Sequence, residues 1–398
     1  MDFFATAAKG TEPALRDELR EIGVRGVRAD RGGVHFGGAL DLGARVCLES
    51  RIAVRVLAEL GRFDAGSVDA LYAGVREIDW AGLIGPRHTL AVRASVRDGA
   101  LTHSGYVALK TKDAIVDVLR DKRGWRPSVD TEDPDVLLFV HVAKDSATVY
   151  LDIGGGSLHQ RGWRARSAEA PMKETLAAAS LRLAGWDRRS PLRDPMCGSG
   201  TLAIEAALWA RGVAPGLSRP RLGVERAAWL DDSLARRLAD LRSSLRERAR
   251  TSKAAPDVAG SDLDPTAVAI ARANAAAAGV GVDFEVAPVS ALRPTSPPGW
   301  VVTNPPYGER LASDGTLYRE MAKTFSQLAG HHVTVLAGSM AILRAFPSPP
   351  DRSLLVLNGP IECRLLSWEI GSRAGARTSR SSPSASRQSG GARRARAR

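Results

Sequence analysis

The sequence contains little cysteine, with Cys47, Cys197 and Cys363 as the three instances in 398 residues. They lie far apart and form neither a CxxC pair nor a Cys/His spacing suited to a metal. These absences argue against a disulfide framework and a structural zinc site. We therefore predict a protein of a reducing compartment that binds no metal.

Long hydrophobic runs are also missing. No uninterrupted apolar stretch approaches the roughly 18 residues that a membrane span requires. The first residues, MDFFATAAKGTEP, lack a basic segment followed by an apolar one. From these absences we expect a cytoplasmic protein without a membrane partner.

Acidic residues are absent from the C-terminal end. After Glu369 the chain has no acid and eight arginines, at positions 373, 377, 380, 387, 393, 394, 396 and 398. Removing these eight from the formal net charge of +12 leaves about +4, so the rest of the chain is only mildly basic. Residues 372–398 also lack large apolar side chains, which predicts a disordered basic tail that contacts nucleic acid.

The first 155 residues alternate short strands and helices. Strands are predicted at FFATAAK, GGVHFGG, TLAVRASV and VLLFVHVAKDSATVYLDI, and helices at EPALRDELREIG, TKDAIVDVLRDKRG and the whole of residues 42–60. This pattern indicates α+β structure, which we divide into residues 1–44 and 45–155. The glycine-rich, basic residues 156–170 are typical of a linker.

The pattern changes in residues 171–371, where strands alternate with longer helices. The strands are PLRD, DVAGSD, VDFEVA, WVVTN and HHVTVLAG, and SLLVLN and IECRLLSWEI form a final pair. Regular alternation of strands and helices predicts an α/β domain with a parallel, doubly wound sheet. The last two strands predict a C-terminal hairpin that closes it.

A glycine loop follows the first strand of this domain. Residues 194–201, DPMCGSGT, place Asp194, Gly198 and Gly200 between a strand and a helix, where backbone can approach a ligand closely. The dinucleotide fingerprint GxGxxG is incomplete because its third position is Ala203, and the Walker sequence GK[ST] is absent. With Asp262 at the tip of the next strand, the pattern suits an adenosine that carries an amino-acid end.

Two other residues near this loop have simpler explanations. Asp264 precedes Pro265 at a predicted helix start, so we expect a helix N-cap rather than a ligand contact. A nucleophilic role for Cys197 is disfavoured, because no histidine or other base lies nearby in the sequence.

The sequence VVTNPPYGERL at residues 301–311 indicates a site for an amino group on an aromatic ring. The Asn304 side-chain oxygen and the Pro305 carbonyl can accept hydrogen bonds from an exocyclic amino group, and the Tyr307 ring can stack on a base. Such an amino nitrogen is a poor nucleophile, and two fixed acceptors can aim its lone pair at an electrophilic methyl group. A rigid loop with a surface tyrosine is the competing interpretation.

Several motifs in order carry a resemblance to a known family. DPMCGSGTLAIEAA, GSDLDP, VVTNPPYGERL and NGPIECRLL resemble the class I, S-adenosylmethionine-dependent RNA guanine-N2 methyltransferases that carry a THUMP domain. Upstream, FFATAAKGTEPALRDEL, SGYVALKTKDAIVD and LDIGGGSLHQRGWR resemble the N-terminal half of this family, most closely its bacterial 23S ribosomal RNA branch. The resemblance covers nearly the whole chain to about Trp368.

The resemblance implies an architecture. Residues 1–44 would belong to a ferredoxin-like part, residues 45–155 to a THUMP RNA-binding domain, and residues 171–371 to a Rossmann-like methyltransferase domain with a seven-stranded sheet. The implied cofactor is S-adenosylmethionine, and the implied partner is RNA, with ribosomal RNA favoured over tRNA.

The resemblance also implies site residues. The contacts to the methionine end fall on Asp194, Gly198 and Gly200, and the contact to the ribose falls on Asp262. The target amine and the base would be bound by three residues, namely Asn304, Pro305 and Tyr307.

One position departs from the family pattern. Pro288 stands where the family usually has an acid that binds the adenine amino group. Backbone groups or Ser290 would then recognise adenine.

Charged residues of the first half and the linker are candidates for RNA contact. Lys110 and Lys112 are predicted at a helix start that faces RNA, although a solvated helix end explains lysines almost as well. Arg161 and Arg164 flank Trp163, and charge combined with an aromatic ring favours nucleic acid.

Other functions stay open at this point. The same motifs also occur in enzymes that methylate N2 of tRNA guanine, the N6 amino group of DNA adenine or the amide of protein glutamine. A non-enzymatic RNA-binding module or chaperone is a further alternative, in which the Pro288 departure has removed cofactor binding.

Overall fold

Two β-sheets organise the chain in the computed structural model, which describes residues 1–164, 172–252, 257–306 and 315–371. The first sheet has eight strands and lies in the N-terminal half; the second has seven and lies in the C-terminal half. No helix in these ranges is both long enough and apolar enough to cross a membrane.

The N-terminal half is built of eight strands and five helices among the described residues. Its elements are, in chain order, β1 Asp2–Thr6, α1 Glu12–Glu21, β2 Arg28–Asp30, β3 Gly33–Gly37, α2 Leu40–Glu49, β4 Arg55–Asp64, α3 Val68–Arg76, α4 Trp80–Leu83, β5 Thr89–Arg97, α5 Ser104–Arg123, β6 Ser128–Val129, β7 Val136–Ala143 and β8 Ser146–Asp152. The strand order in the sheet is β2-β3-β1-β4-β8-β7-β5-β6.

The C-terminal half alternates strands and helices. Its elements are α6 Glu174–Leu183, β9 Leu192–Asp194, α7 Thr201–Ala210, α8 Asp232–Thr251, β10 Val258–Asp262, α9 Pro265–Ala278, β11 Asp283–Val286, β12 Trp300–Thr303, α10 Thr316–Phe325, β13 His332–Ala337, α11 Ile342–Ala345, β14 Arg352–Asn358 and β15 Ile361–Glu369. Short 3-10 helices occur at Pro215–Ser218, Gly223–Glu225 and Val289–Ala291.

The second sheet confirms the predicted α/β architecture. Its order is β11-β10-β9-β12-β13-β15-β14, and β15 runs antiparallel to both neighbours, whereas the remaining pairs are parallel. Separate apolar cores cover the sheet, one containing residues of α7 and α9 and the other residues of α10. The chain order reverses between β9 and β12, which creates the crevice where such sheets bind ligands.

The helix predicted over residues 42–60 is wrong in its second part. Helix α2 ends at Glu49, and β4 begins at Arg55. Strand β4 pairs with β1 on one side and with β8 on the other. Pairing on both sides outweighs the local helical pattern of this alternating, partly β-branched segment.

The predicted boundaries differ from the structure in two places. A boundary after residue 44 falls inside α2, and β4 joins the two predicted parts into one continuous sheet. Residues 157–164, predicted as a linker, are packed into the protein, because Leu158 and Trp163 are buried. Residues 165–170 and the predicted tail lie outside the described residues.

Helix α8 was not predicted from the sequence. Leu234, Leu238 and Leu245 form one buried stripe on it and belong to the same core as residues of α2 in the N-terminal half. A segment inserted between α7 and β10 therefore packs against the N-terminal half. The other residues of α8 are mostly charged and polar, so its sequence has no strong apolar pattern that would predict a buried helix.

A buried ionic cluster also joins the two halves. Glu205 on α7 pairs with two arginines. One of its carboxylate oxygens lies 3.4 Å from the Arg51 guanidinium, and the other lies 3.4 Å from the Arg161 guanidinium. Arg161 also donates to the backbone oxygen of Arg51. Burial lowers the pKa of Arg51 to about 10, which reflects the cost of holding the guanidinium away from water.

We predict that Glu205→Gln destabilises the protein by roughly 3 to 5 kcal/mol, because two buried arginines lose their carboxylate while the packing volume is kept. Urea denaturation followed by tryptophan fluorescence measures the loss. Glu247→Gln is the matched control, since Glu247 pairs with exposed Arg250 and its loss should matter far less. Equal losses in the two variants would show that the buried cluster does not stabilise the junction.

Candidate active site

Three strand ends meet at the crevice of the second sheet. Strand β9 ends at Asp194, β10 at Asp262 and β12 at Thr303, directly before Asn304. These strands are neighbours and parallel, with β9 in the middle. Because parallel neighbours end at the same edge, the structure brings the predicted cofactor acids together with the turn at Asn304 and Pro305, called the acceptor turn below.

The glycine loop needs its glycines for different reasons. Gly198 and Gly200 have φ angles of 53° and 83°, in the left-handed region. A Cβ at Gly200 would lie 2.9 Å from the Phe284 ring, so a side chain does not fit there. A Cβ at Gly198 would meet no atom within 4 Å, so this side of the loop is open. Gly198 thus presents free space at the strand ends.

Asp262 supports the loop from the next strand. One carboxylate oxygen accepts the backbone N–H of Gly198 at 2.8 Å, and the other accepts that of Asp264 at 3.0 Å. Each oxygen has a second lone pair for a ligand. The Asp264 side chain accepts the Thr266 backbone N–H at 2.8 Å and caps α9, which confirms the predicted N-cap.

Asp194 lies at the centre of the site and is buried. Thr303 donates its hydroxyl to one Asp194 oxygen at 2.8 Å. Burial, together with the smaller effect of the nearby Asp262 charge, raises the pKa of Asp194 to about 7. Thr303 was missed in the sequence, although its place as the last residue of β12 puts it beside the end of β9.

The acceptor turn contains an unsatisfied polar atom. The Asn304 side-chain oxygen is buried and accepts no hydrogen bond from any residue that the structure describes. Pro305 beside it is buried as well. A buried acceptor without a donor costs free energy unless a ligand supplies the donor. Tyr307, the predicted stacking residue, lies outside the described residues.

Cys197 has surroundings that oppose thiolate formation. Its side chain is buried in the loop, and burial, with the Asp194 and Asp262 charges, raises the pKa of the thiol well above its ordinary value. The thiol is thus protonated at neutral pH, which agrees with the disfavoured role as a nucleophile.

Exposed apolar side chains flank the acids at the same edge. Leu263, next to Asp262, is 72% exposed, and Val286, at the end of β11, is 51% exposed. Both were missed in the sequence, and large apolar side chains at a ligand-binding edge suit a flat ring. Pro288 precedes the Val289–Ala291 turn, in which Ser290 is exposed.

The predicted RNA contacts of the linker need correction. Arg161 and Trp163 are buried, and Arg161 is committed to the cluster with Glu205. The Arg164 side chain is 15% exposed, pairs with Glu174 and donates to the glycine loop. A basic and aromatic stretch was mistaken for a surface because its partners are distant in the sequence.

The two predicted lysines do not share one surface. Helix α5 begins at Ser104, so Lys110 and Lys112 lie beyond its first turn. Two residues correspond to a rotation of about 200° on a helix, which points them in nearly opposite directions. Lys112 pairs with Asp113 at 2.7 Å, and Lys110 lies 5.7 Å from the centre of the Tyr106 ring. The predicted place at a helix start is therefore wrong, whereas contact of each lysine with RNA stays a prediction.

Within the described ranges, no group of three or more His, Cys, Asp or Glu residues is arranged to hold a metal ion. The polar atoms at the crevice are carboxylates, a hydroxyl, an amide and backbone groups. They can bind amino groups and hydroxyls and can orient a planar substrate.

Comparison with solved structures gives close matches over both halves. SMU.472, described as a candidate methyltransferase and solved as a complex with SAH, is 31% identical, with a TM-score of 0.83 over 94% of this chain and 98% of that one. A Listeria monocytogenes protein predicted to be an N6-adenine-specific DNA methylase is 29% identical, with a TM-score of 0.81 over 92% and 95% of the two chains.

A curated relative that is longer than this chain matches nearly all of it. The ribosomal RNA large subunit methyltransferase K/L of Methylococcus capsulatus is 42% identical over 382 residues, which cover 93% of this chain and 51% of the relative. The chain therefore spans about half the length of this relative.

Family models match three consecutive parts of the chain. A RlmL ferredoxin-like domain matches residues 2–57, a THUMP domain matches residues 65–152, and an RMKL-like methyltransferase domain matches residues 161–367. The last match covers more than half of the sequence and contains the crevice with Asp194, Asp262 and Asn304. The resemblance noted in the sequence is thereby confirmed, and the chain belongs to the RMKL-like methyltransferase family.

Proposed function

We propose that this chain transfers a methyl group from S-adenosylmethionine to the exocyclic N2 of a guanine in structured RNA, with 23S ribosomal RNA as the favoured substrate. The observation that carries this proposal is the buried, unsatisfied oxygen of Asn304, the residue directly after Thr303, whose hydroxyl donates to the buried acid Asp194. This arrangement supports a site in which the cofactor's methionine end and the acceptor for the amino group lie at one edge of the sheet.

The described residues fit the cofactor. The open side of Gly198 and the carboxyl of Asp194 suit its methionine end, and the free lone pairs of Asp262 suit its ribose hydroxyls. Leu263 and Val286 offer apolar surface to its adenine, while contact by Ser290 stays a prediction. When bound, S-adenosylmethionine supplies an electrophilic methyl group on a sulfonium. SAH in a 31% identical structure supports this assignment.

The acceptor turn would prepare the amino group. In the proposed complex Asn304 accepts one N–H of the amine with its side-chain oxygen, and the Pro305 carbonyl accepts the other. The amine lone pair is then directed away from the ring, toward the methyl group. Stacking by Tyr307 would hold a base taken out of its pairing. No covalent enzyme intermediate is needed, in agreement with the protonated Cys197.

RNA is favoured over the other substrates by the N-terminal half. The THUMP match covers a domain that the family uses with RNA, and the similar curated relative is named a ribosomal RNA methyltransferase. The second candidate is the N6 amino group of DNA adenine, which is favoured by the name of one similar structure. Both substrates present an amino group on an aromatic ring, so the crevice alone accommodates either.

A parallel labelling assay tests the substrate. The chain and methyl-tritiated S-adenosylmethionine are incubated in four separate reactions. Each reaction contains one substrate: ribosomal RNA, tRNA, duplex DNA or a glutamine-containing protein. Label should enter ribosomal RNA most efficiently. Label on DNA alone would establish the second candidate, and label on protein alone would exclude both.

Replacing Asn304 tests the acceptor. Asn304→Ala should lower turnover on RNA about a hundredfold or more, because it removes an acceptor that acts mainly in the transition state. SAH affinity by calorimetry should change little, since the methionine end is held elsewhere. Asn358→Ala, on the edge strand β14, is the control and should keep turnover. Normal turnover by Asn304→Ala would refute its proposed role.

The raised pKa of Asp194 predicts a pH dependence. An amine of the cofactor binds the ionised carboxyl, and around a pKa of about 7 the ionised fraction rises from about a tenth at pH 6 to about nine tenths at pH 8. SAH binding should therefore tighten by close to tenfold over this range. Asp194→Asn should bind weakly and without this dependence. Equal affinity of the unmodified chain at pH 6 and 8 would contradict the assignment.

A further inference from the structure

Arg164 makes an unusual set of contacts between the end of the N-terminal half and the glycine loop. Its guanidinium donates to the Ser199 hydroxyl at 3.3 Å and to the Thr201 hydroxyl at 3.0 Å. Its Nε donates to Glu174 at 2.8 Å, and Nη2, the nitrogen that donates to Thr201, also donates to the Met172 carbonyl at 3.0 Å. One side chain thus connects the loop and the first turn of α7 to Met172, before α6, and to Glu174, the first residue of α6.

The electrostatics of this position are unfavourable for α7 alone. Thr201 is the first residue of α7, and a cation near a helix N-terminus opposes the helix dipole. The buried carboxylate of Glu174 offsets the charge of the arginine. Stability of α7 therefore does not explain why an arginine stands here, and a role at the loop does.

The contacts act on Ser199, which follows Gly198 in the loop, and on Thr201 at the start of α7. Ser199 and Thr201 are both buried, and their hydroxyl oxygens accept from Arg164, so their positions are set by it. Asn274 holds the Ser199 carbonyl at 3.1 Å, and Asp262 holds the Gly198 N–H. Among the described contacts to the loop, Arg164 contributes the positive charge.

We propose that Arg164 is a positioning residue for the amino-acid end of the cofactor. It fixes the loop through the Ser199 and Thr201 hydroxyls and places a positive charge near the α-carboxylate of that end. This proposal rests on the proposed function, and it replaces the RNA contact expected for Arg164 from the sequence.

Two ligands separate this role from general stabilisation. SAH carries the amino-acid end, whereas 5′-methylthioadenosine has the same adenosine and a sulfur but lacks that end. In calorimetry, Arg164→Ala should weaken SAH binding about tenfold or more, the size expected for losing hydrogen bonds from a charged group. Binding of 5′-methylthioadenosine should stay within about twofold, because its contacts lie at Asp262, Leu263 and Val286. The SAH affinity of Arg164→Lys should lie between those of the unmodified chain and Arg164→Ala.

Three further variants complete the test. Thr201→Val and Ser199→Ala keep Arg164 but remove one acceptor each, so both should weaken SAH selectively even if Arg164→Ala does not fold. Arg226→Ala is the control, since this partly buried arginine pairs with Asp133 away from the loop, and both affinities should be kept.

The outcomes are distinct. Equal weakening of both ligands by Arg164→Ala and Thr201→Val, or no weakening of SAH, would overturn the role of Arg164. Failure of the unmodified chain to bind either ligand would instead overturn the proposed function.

Discussion

The hydrogen bond from Thr303 to Asp194 joins the two parts of the proposed site. It connects the end of β12, where the acceptor turn begins, to the end of β9, where the glycine loop begins. The parallel register of these neighbouring strands sets this distance, because Val301 lies opposite Arg193 in the ladder. Methyl transfer requires a short distance between the methyl donor and the acceptor amine. The register of β9 and β12 is therefore the constraint on which the proposed chemistry depends.

The site is also held from the N-terminal side. Arg161 and Arg164, three residues apart, contact the same helix α7, one at Glu205 and the other at its first turn. Arg51 extends the first contact into the N-terminal half. The half that would bind RNA and the loop that would bind the cofactor therefore share a buried, charged junction. Relative motion of the halves would require separating these groups at a large cost.

The sequence was informative where its signals are local. The strand tips at Asp194, Asp262 and Asn304 could be placed because each ends a short predicted strand that is followed by a turn or helix. Strand β4 was mistaken for helix because its two neighbours in the sheet are distant in the chain. Arg161 and Arg164 were placed on the surface because charged residues usually lie there, and because two of their buried partners, Glu205 and Thr201, are far along the sequence.

The most direct measurement identifies the methylated nucleoside. Ribosomal RNA methylated by the chain is digested to nucleosides, and the labelled product is identified by chromatography and mass spectrometry. The account predicts N2-methylguanosine, since the acceptor turn is proposed to hold the guanine amino group. N6-methyladenosine as the labelled product would contradict the account, even if RNA carried the label.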